Sequence, residues 1–137
     1  MPKKKSASTS KKRTSAKPAK NFAPVFAALK EILEPYEKHL QVRPYKPEFY
    51  ALVTHKPVHR GKPFWFAAIR MGKSYVSYHF MPVYIHAPMQ KRIPPELKKR
   101  MQGKACFNFS EVDPALFRKL AGLTAAGFEC YRALKYV

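Results

Sequence analysis

The sequence predicts an α+β domain in which N-terminal, middle and C-terminal helices pack on an antiparallel β-meander. Residues Pro63 to His86 alternate around a tight turn and are rich in aromatic and β-branched side chains, which is typical of a β-hairpin. Another strand pattern precedes this hairpin, and apolar residues recur at helical spacing before and after the strands. Strands in series, with helices at either end, indicate helices packed on an antiparallel sheet.

The chain is strongly basic, with 27 Lys and Arg against 8 Asp and Glu among 137 residues. Residues 1–20 hold eight of the basic residues, no acidic residue and no large apolar residue beyond Met1. Because such a segment can bury little surface, we expect a disordered basic tail at 1–20 and a single domain at 21–137. The tail either keeps the chain in solution or contacts nucleic acid non-specifically through phosphates, with Lys3, Lys4, Lys5, Lys11, Lys12 and Arg13 as the contacting residues.

The first helix is predicted from Pro24 to Glu34. Proline suits the first turn of a helix, and the apolar residues form one stripe: Val25, Phe26, Leu29, Ile32 and Leu33. Pro35 either kinks this helix or begins a second short one that reaches Leu40. Residues 41–48 contain two prolines and are predicted to be an extended connection.

Three strands are predicted next. Phe49 to His55 alternates, and the hairpin follows after a loop that contains Pro57 and Gly61. The first hairpin strand is apolar on both faces, so we expect it at the centre of a sheet that is covered on both sides. Gly72-Lys73 is predicted as the two-residue turn, with the glycine at positive φ. Pro82 interrupts the second strand, and Val83 to Ile85 are expected to resume as an edge strand.

The C-terminal third is predicted to be helix, strand and helix. Ile93, Leu97 and Met101 recur at four-residue spacing within residues 87–104, and Gly103 is a natural C-cap. The segment from Ala105 to Phe109 alternates as a short strand.

The last helix is predicted to begin after Asp113, a good N-cap, with Pro114 in its first turn. Val112 and Phe117 have the spacing of a hydrophobic staple. Gly122 and Gly127 are each expected to weaken this helix by about 1 kcal/mol relative to alanine.

Three segments of the sequence carry a resemblance to a known family. They are GKSYVSYHFMPVY (Gly72 to Tyr84), PPELKKRMQGKACFNF (Pro94 to Phe109) and DPALFRKLAGLTAAGFECY (Asp113 to Tyr131). Over about residues 22–134 the chain resembles the YdhG-like family, a group of small bacterial α+β domains of largely unassigned function. The resemblance implies the fold. It also offers a frataxin-like role as an intracellular iron chaperone, which is how some members are described.

The residues themselves do not favour a metal site or a catalytic site. The eight carboxylates are scattered, and a positive field repels cations. No metal ligand is therefore predicted, and iron rests on the resemblance alone. Cys106 could converge with His79 or His86 if their strands are neighbours; the alternative is that Cys106 is a small buried apolar residue. No nucleophile elbow or glycine-rich phosphate loop occurs, so no catalytic residue is predicted.

A ligand-binding site is predicted where basic and aromatic residues lie close together in the sequence. Such interleaving suits a ligand that combines phosphate or carboxylate with a flat ring. The predicted ligand-binding residues are Lys73, Tyr75, His79, Arg100, Lys104 and Phe107. Four of them, Tyr75, His79, Arg100 and Lys104, are expected to line one concave pocket. The alternative is that the basic residues are merely solvated and that Tyr75 and His79 lie buried under the last helix.

These observations predict a non-enzymatic domain that binds an anionic small molecule or, non-specifically, nucleic acid. An intracellular iron chaperone is the alternative, and an enzyme of unknown class is the third possibility. The two cysteines are too few for a disulfide framework, so we expect a cytoplasmic protein. No apolar run is long enough for a membrane span. We expect a monomer or a weak dimer.

Overall fold

The computed structural model describes residues 22–46 and 48–137, so the predicted tail and its six nucleic-acid contacts lie outside the described residues. The fold is α+β: a five-stranded antiparallel sheet in the order β1-β2-β3-β4-β5 with helices packed on it, as predicted. The strands are β1 (Gln41–Lys46), β2 (Phe49–Val53), β3 (Trp65–Met71), β4 (Val76–Phe80) and β5 (Cys106–Phe109). The helices are α1 (Ala23–Leu33), α2 (Pro82–Ile85), α3 (Ala87–Gln90), α4 (Pro95–Lys98) and α5 (Pro114–Ala133), with a 3₁₀ helix at Glu34–Lys38.

The sheet contains one strand that the sequence does not predict. Residues 41–46, expected to be a connection, form the edge strand β1, which pairs with β2. The ladder of β1 shifts between Val42 and Tyr45, around Pro44. A proline is tolerated at such an irregularity on an edge strand, because its missing N–H costs no ladder hydrogen bond there. The first hairpin strand, β3, is the central strand, as predicted.

The β3–β4 turn lies one residue later than predicted. The Gly72 N–H donates to the carbonyl of Tyr75 over 2.9 Å, so these two residues close the turn and Lys73 and Ser74 form its tip. Gly72 is not among the glycines at positive φ, which are Gly61 and Gly103 within the described residues. A glycine suits this position because of the limited space, since a Cβ at Gly72 would lie 3.1 Å from the Tyr75 carbonyl oxygen.

Three further predictions after β4 are wrong. Val83 to Ile85 belong to the helix α2 rather than to an edge strand, since Pro82 occupies a first helical turn. The long helix expected over residues 87–104 is two single turns, α3 and α4, and Pro94, extended at ψ 147°, immediately precedes the second. Met101 then bridges Phe107 and continues the sheet beyond β5, so Gly103 serves a turn instead of a helix C-cap.

The core lies on one side of the sheet. A bulge in β3, where the register shifts between Leu52 and Val53, brings Phe66 and Ala67 to the helical side together. Phe66 there contacts the rings of Phe128 and Tyr131 from α5. The helices contribute their buried side chains to this same cluster. The sheet was expected to be covered on both sides, but the helices pack on one side only.

The long helix α5 begins as predicted. The Asp113 carboxylate accepts a hydrogen bond from the Leu116 N–H over 3.1 Å, and Pro114 is the first helical residue. Val112 remains 42% exposed, so the predicted staple buries little of it. No helix among the described residues is long and apolar enough to cross a membrane.

Candidate functional site on the open sheet face

The sheet face opposite the helices, called here the open face, presents side chains in rows that the strand register aligns. The first row crosses four strands and spans about 14 Å, at about 4.8 Å per strand; it consists of Phe49, Arg70, Ser77 and Asn108. The second row lies two residues further along the strands and consists of Ala51, Ala68, His79 and Cys106. The third row consists of Gln41, Val53 and Trp65.

An aromatic pair occupies one half of the open face. The ring centroids of Phe49 and Trp65 lie 5.9 Å apart at 63°. The two residues stand on either side of Ala51, and the alanine floor of Ala51 and Ala68 is fully buried beneath the larger side chains around it. Trp65 itself remains 41% exposed. The bulge at Phe66 explains this placement. Strict alternation from Ala67 would put Trp65 on the helical side, and the extra residue moves it to the open face.

A polar network occupies the other half. Ser77 Oγ donates to Asn108 Oδ1 over 2.9 Å, and Asn108 Nδ2 donates to Gln102 Oε1 over 3.0 Å. The Tyr75 hydroxyl lies 3.4 Å from the same Gln102 oxygen. Gln102 is held in place by its own N–H, which donates to the carbonyl of Cys106 over 2.9 Å. These four side chains therefore form a connected, uncharged hydrogen-bonding surface.

His79 and Cys106 meet in the second row, as one interpretation of the sequence foresaw. His79 Nε2 lies 3.9 Å from Cys106 Sγ. Partial burial, and secondly the charge of Arg70, lower the pKa of His79. Burial raises the pKa of Cys106, although a hydrogen bond with Ser77 opposes the shift. The pair therefore favours a neutral imidazole beside a protonated thiol, which is the opposite of an activated thiolate.

The electrostatics of the open face are basic. None of the five strands contains an Asp or Glu residue. The exposed guanidinium of Arg70 stands in the first row between Phe49 and Ser77, and Arg43 Nη2 donates to Gln41 Oε1 over 3.2 Å at the third row. A depression of about 320 Å³ opens beside Arg70, and its lining residues are Arg70, Gly72, Lys73, Ser74, Tyr75 and Ser77.

The structure brings only part of the predicted site together. Lys73 and Tyr75 line the depression, and His79 lies on the same face in the next row. Tyr75 is 37% exposed, and Tyr75 and His79 both lie on the side of the sheet away from α5. The alternative that these two residues are buried under the last helix is therefore wrong.

The other three predicted residues lie elsewhere. Arg100 lines a separate cavity of about 440 Å³ between α4 and the start of α5. Lys104 is exposed in the turn before β5, and its carbonyl accepts a hydrogen bond from Gln90. Phe107 is fully buried on the helical side, so it is not available to a ligand. The single pocket predicted from Tyr75, His79, Arg100 and Lys104 is therefore not formed.

Two carboxylates at the end of α1 and in the 3₁₀ helix have different partners. Glu34 pairs with Lys30 at 2.9 Å, and Glu37 accepts a hydrogen bond from the Tyr50 hydroxyl. In residues 22–46 and 48–137, no group of three or more His, Cys, Asp or Glu side chains is arranged to hold a metal ion.

Comparisons with known proteins do not assign the chain to a family. No family model, curated protein or solved structure gives a significant match to it. The resemblance to the YdhG-like family therefore stays a prediction, and the function has to be argued from the open face itself.

Proposed function

We propose that this protein is a non-enzymatic binding domain that takes an anionic partner on its open face. The observation that carries the proposal is the position of Arg70, an exposed guanidinium between an aromatic ring and a hydroxyl group, on a sheet without acidic residues. A guanidinium offers two parallel N–H donors to a phosphate or carboxylate, which gives a charged hydrogen bond with defined geometry.

The depression beside Arg70 supplies the remaining contacts. The Lys73 ammonium adds a second positive charge at the rim, and Tyr75 and Ser77 add polar hydroxyl groups to the lining. About 320 Å³ is at the lower end of the range for ligand pockets, so it suits one anionic group with part of its attached scaffold. The wider charge of the chain, +19, raises the rate of encounter with such a partner.

The partner is an anionic small molecule or nucleic acid. The basic residues of the tail, from Lys3 to Arg13, add sequence-independent contacts to phosphates when the partner is nucleic acid. In this proposal the protein acts in the cytoplasm as a monomer or a weak dimer. Iron handling and catalysis are not proposed, because no observation on the described residues favours either.

Trp65 makes the proposal directly testable, because it is the only tryptophan of the chain and it lies on the open face. Linear polyphosphate, an anion without rings, is titrated into the full chain while tryptophan emission and binding heat are recorded. Arg70→Glu is compared with Arg118→Glu, an exposed arginine on α5. Both variants change the net charge by two, so a difference between them reports position and not total charge.

We expect Arg70→Glu to weaken polyphosphate binding about tenfold more than Arg118→Glu, which corresponds to about 1.4 kcal/mol. Emission from Trp65 should change on binding in the unaltered chain and in Arg118→Glu. Equal weakening by the two variants would mean that the anion follows the overall charge rather than the open face, and would overturn the proposal.

A further inference from the structure

We infer that the partner of the open face is single-stranded nucleic acid, whose bases stack on the Phe49–Trp65 pair while its phosphates meet Arg70 and Arg43. This inference rests on the proposed function and names the chemical class of the partner. The juxtaposition behind it is an aromatic pair, an exposed Trp65 beside a half-buried Phe49, flanked by two arginines.

The aromatic pair is placed for stacking. A tryptophan that is 41% exposed on a sheet without helical cover offers one of the largest flat surfaces that a side chain can give to a solvent-borne partner. The Phe49 ring, 5.9 Å away, extends this surface along β2. Every base has a π face, so stacking of this kind tolerates any sequence.

The two arginines lie at opposite ends of the aromatic pair. Arg70 is the direct cross-strand partner of Phe49 in the first row. Arg43 reaches the third row through its hydrogen bond to Gln41, whose own cross-strand neighbours are Val53 and then Trp65. From the first row to the third is four residues, or about 13 Å along the strands. A strand with stacked bases would thus meet a positive charge before and after the rings.

Single strands fit this surface better than duplexes. The base faces of a duplex are hidden within the helical stack, so a duplex could use the guanidinium groups but not the rings. The neutral hydrogen-bonding groups beside the rings, on Ser77, Asn108 and Gln102, suit base edges or sugar hydroxyls more than further phosphates.

The test compares an oligothymidylate with an abasic oligodeoxynucleotide of the same length and charge, using the full chain at one fixed salt concentration. Binding is measured by anisotropy of the labelled oligonucleotide and by quenching of Trp65. The variant is Trp65→Leu, which keeps apolar cover over the alanine floor. Tyr84→Leu is the matched control, because Tyr84 is 60% exposed on α2 in the helical layer. The basic tail is present in every variant and cancels in the comparison.

We expect the oligothymidylate to bind about fivefold or more tightly than the abasic strand, which is the lower limit for stacking of one base. Trp65→Leu should remove this difference and leave abasic binding unchanged, whereas Tyr84→Leu should leave both affinities unchanged. If Trp65→Leu does not fold, titration of the unaltered chain still tests the inference, because the strand with bases should quench Trp65 much more strongly than the abasic strand does.

The contrary outcomes separate the two proposals. Equal affinity for the two strands, with both sensitive to Arg70→Glu, would overturn the stacking inference and leave the anion-binding function standing. Tighter binding of a duplex of equal length would also overturn the inference. Binding of both strands that is indifferent to Arg70→Glu, relative to Arg118→Glu, would overturn both proposals.

Discussion

His79 and Cys106 are direct cross-strand partners, and the imidazole Nε2 lies 3.9 Å from the thiol sulfur. Arg70, which stands diagonally across from His79 on β3, is the charged group that acts on the imidazole, whereas burial is the larger influence on both members of the pair. Both side chains are held in their neutral forms in the folded chain. Protonation of His79 on the open face should therefore lower the stability of the domain.

The first prediction concerns stability against pH. The pKa of His79 is lowered in the folded chain from its ordinary value of 6.5, first by burial and then by Arg70. At pH values between the folded-state and the unfolded-state pKa of His79, the unfolded chain binds more protons than the folded chain does. Acidification therefore favours unfolding. We expect the stability contributed by neutral His79 to be present above pH 6.5 and lost as the pH falls below it.

Urea unfolding at a series of pH values measures this dependence. His79→Gln should flatten the stability profile below pH 6.5, and His55→Gln, which alters an exposed histidine, is the control for loss of a histidine. An identical profile for His79→Gln and the unaltered chain would contradict the prediction.

The second prediction links the same histidine to anion binding. A phosphate held by Arg70 would neutralise the charge that helps to lower the pKa of His79 and would itself favour the imidazolium form. We therefore expect polyphosphate to raise the pKa of His79 and to bind more tightly as the pH falls. NMR titration of the His79 ring with and without polyphosphate measures the shift, and Arg70→Gln alone should raise the pKa as well. A pKa that polyphosphate leaves unchanged would exclude binding at this point of the face.

Most of the sheet and both long helices could be predicted from the sequence, because their signals are local. Alternation identifies β2, β3 and β4, and Asp113-Pro114 identifies the start of α5. The edge strand β1 could not be predicted, since Pro44 opposes a strand locally and only pairing with β2 compensates for it. The short helix at Val83 to Ile85 has strand-forming residues, and its backbone is decided by Pro82 and by packing of Val83 into the core.

The candidate site could be predicted only in part. Tyr75 and His79 were found because alternation assigns the faces of β4 correctly. Trp65 was missed because the bulge at Phe66 shifts it to the face opposite the one that alternation predicts, and bulges have no clear sequence signal here. Arg70 was missed because a single arginine at the end of an apolar strand is conspicuous only once its cross-strand partners, Phe49 and Ser77, are known.

The third prediction concerns a buried hydroxyl pair that joins β4 to α5. The Tyr78 and Thr124 oxygens lie 2.7 Å apart, and the Thr124 hydroxyl donates its single hydrogen to the Leu120 carbonyl over 2.8 Å. Tyr78 must therefore be the donor in the pair. Burial raises its pKa, so the phenol stays protonated.

Removal of the Tyr78 hydroxyl and removal of the Thr124 hydroxyl should lower the free energy of unfolding by different amounts. Tyr78→Phe leaves Thr124 with its own donor satisfied, and we expect it to cost about 1 kcal/mol. Thr124→Val leaves the Tyr78 O–H buried without an acceptor, so it should cost more, up to about 3 kcal/mol. Thr124→Ser keeps the hydroxyl and serves as the control. Chemical denaturation measures all three, and a larger cost for Tyr78→Phe than for Thr124→Val would show that the donor was assigned wrongly.

The last prediction separates two glycines of α5 that look equivalent in the sequence. Alanine at Gly122 would meet no atom within 4 Å. A Cβ at Gly127 would lie 2.8 Å from Phe80 Cε2 and 2.9 Å from Pro82 Cβ. Phe80 is fully buried and packs edge-on against the Phe66 ring at 5.4 Å, so its ring has little room to move away.

We therefore expect Gly122→Ala to stabilise the domain by about 1 kcal/mol, the difference in helix propensity. Gly127→Ala gains the same propensity but overpacks the contact between α5 and the end of β4, so it should be destabilising by about 1–2 kcal/mol net. Urea unfolding of both variants measures the difference. Phe80→Leu combined with Gly127→Ala should cost less than the sum of the two single changes, because the smaller side chain makes room for the added methyl group. If Gly127→Ala stabilised the domain as much as Gly122→Ala does, α5 could not lie as close to Phe80 and Pro82 as it does here.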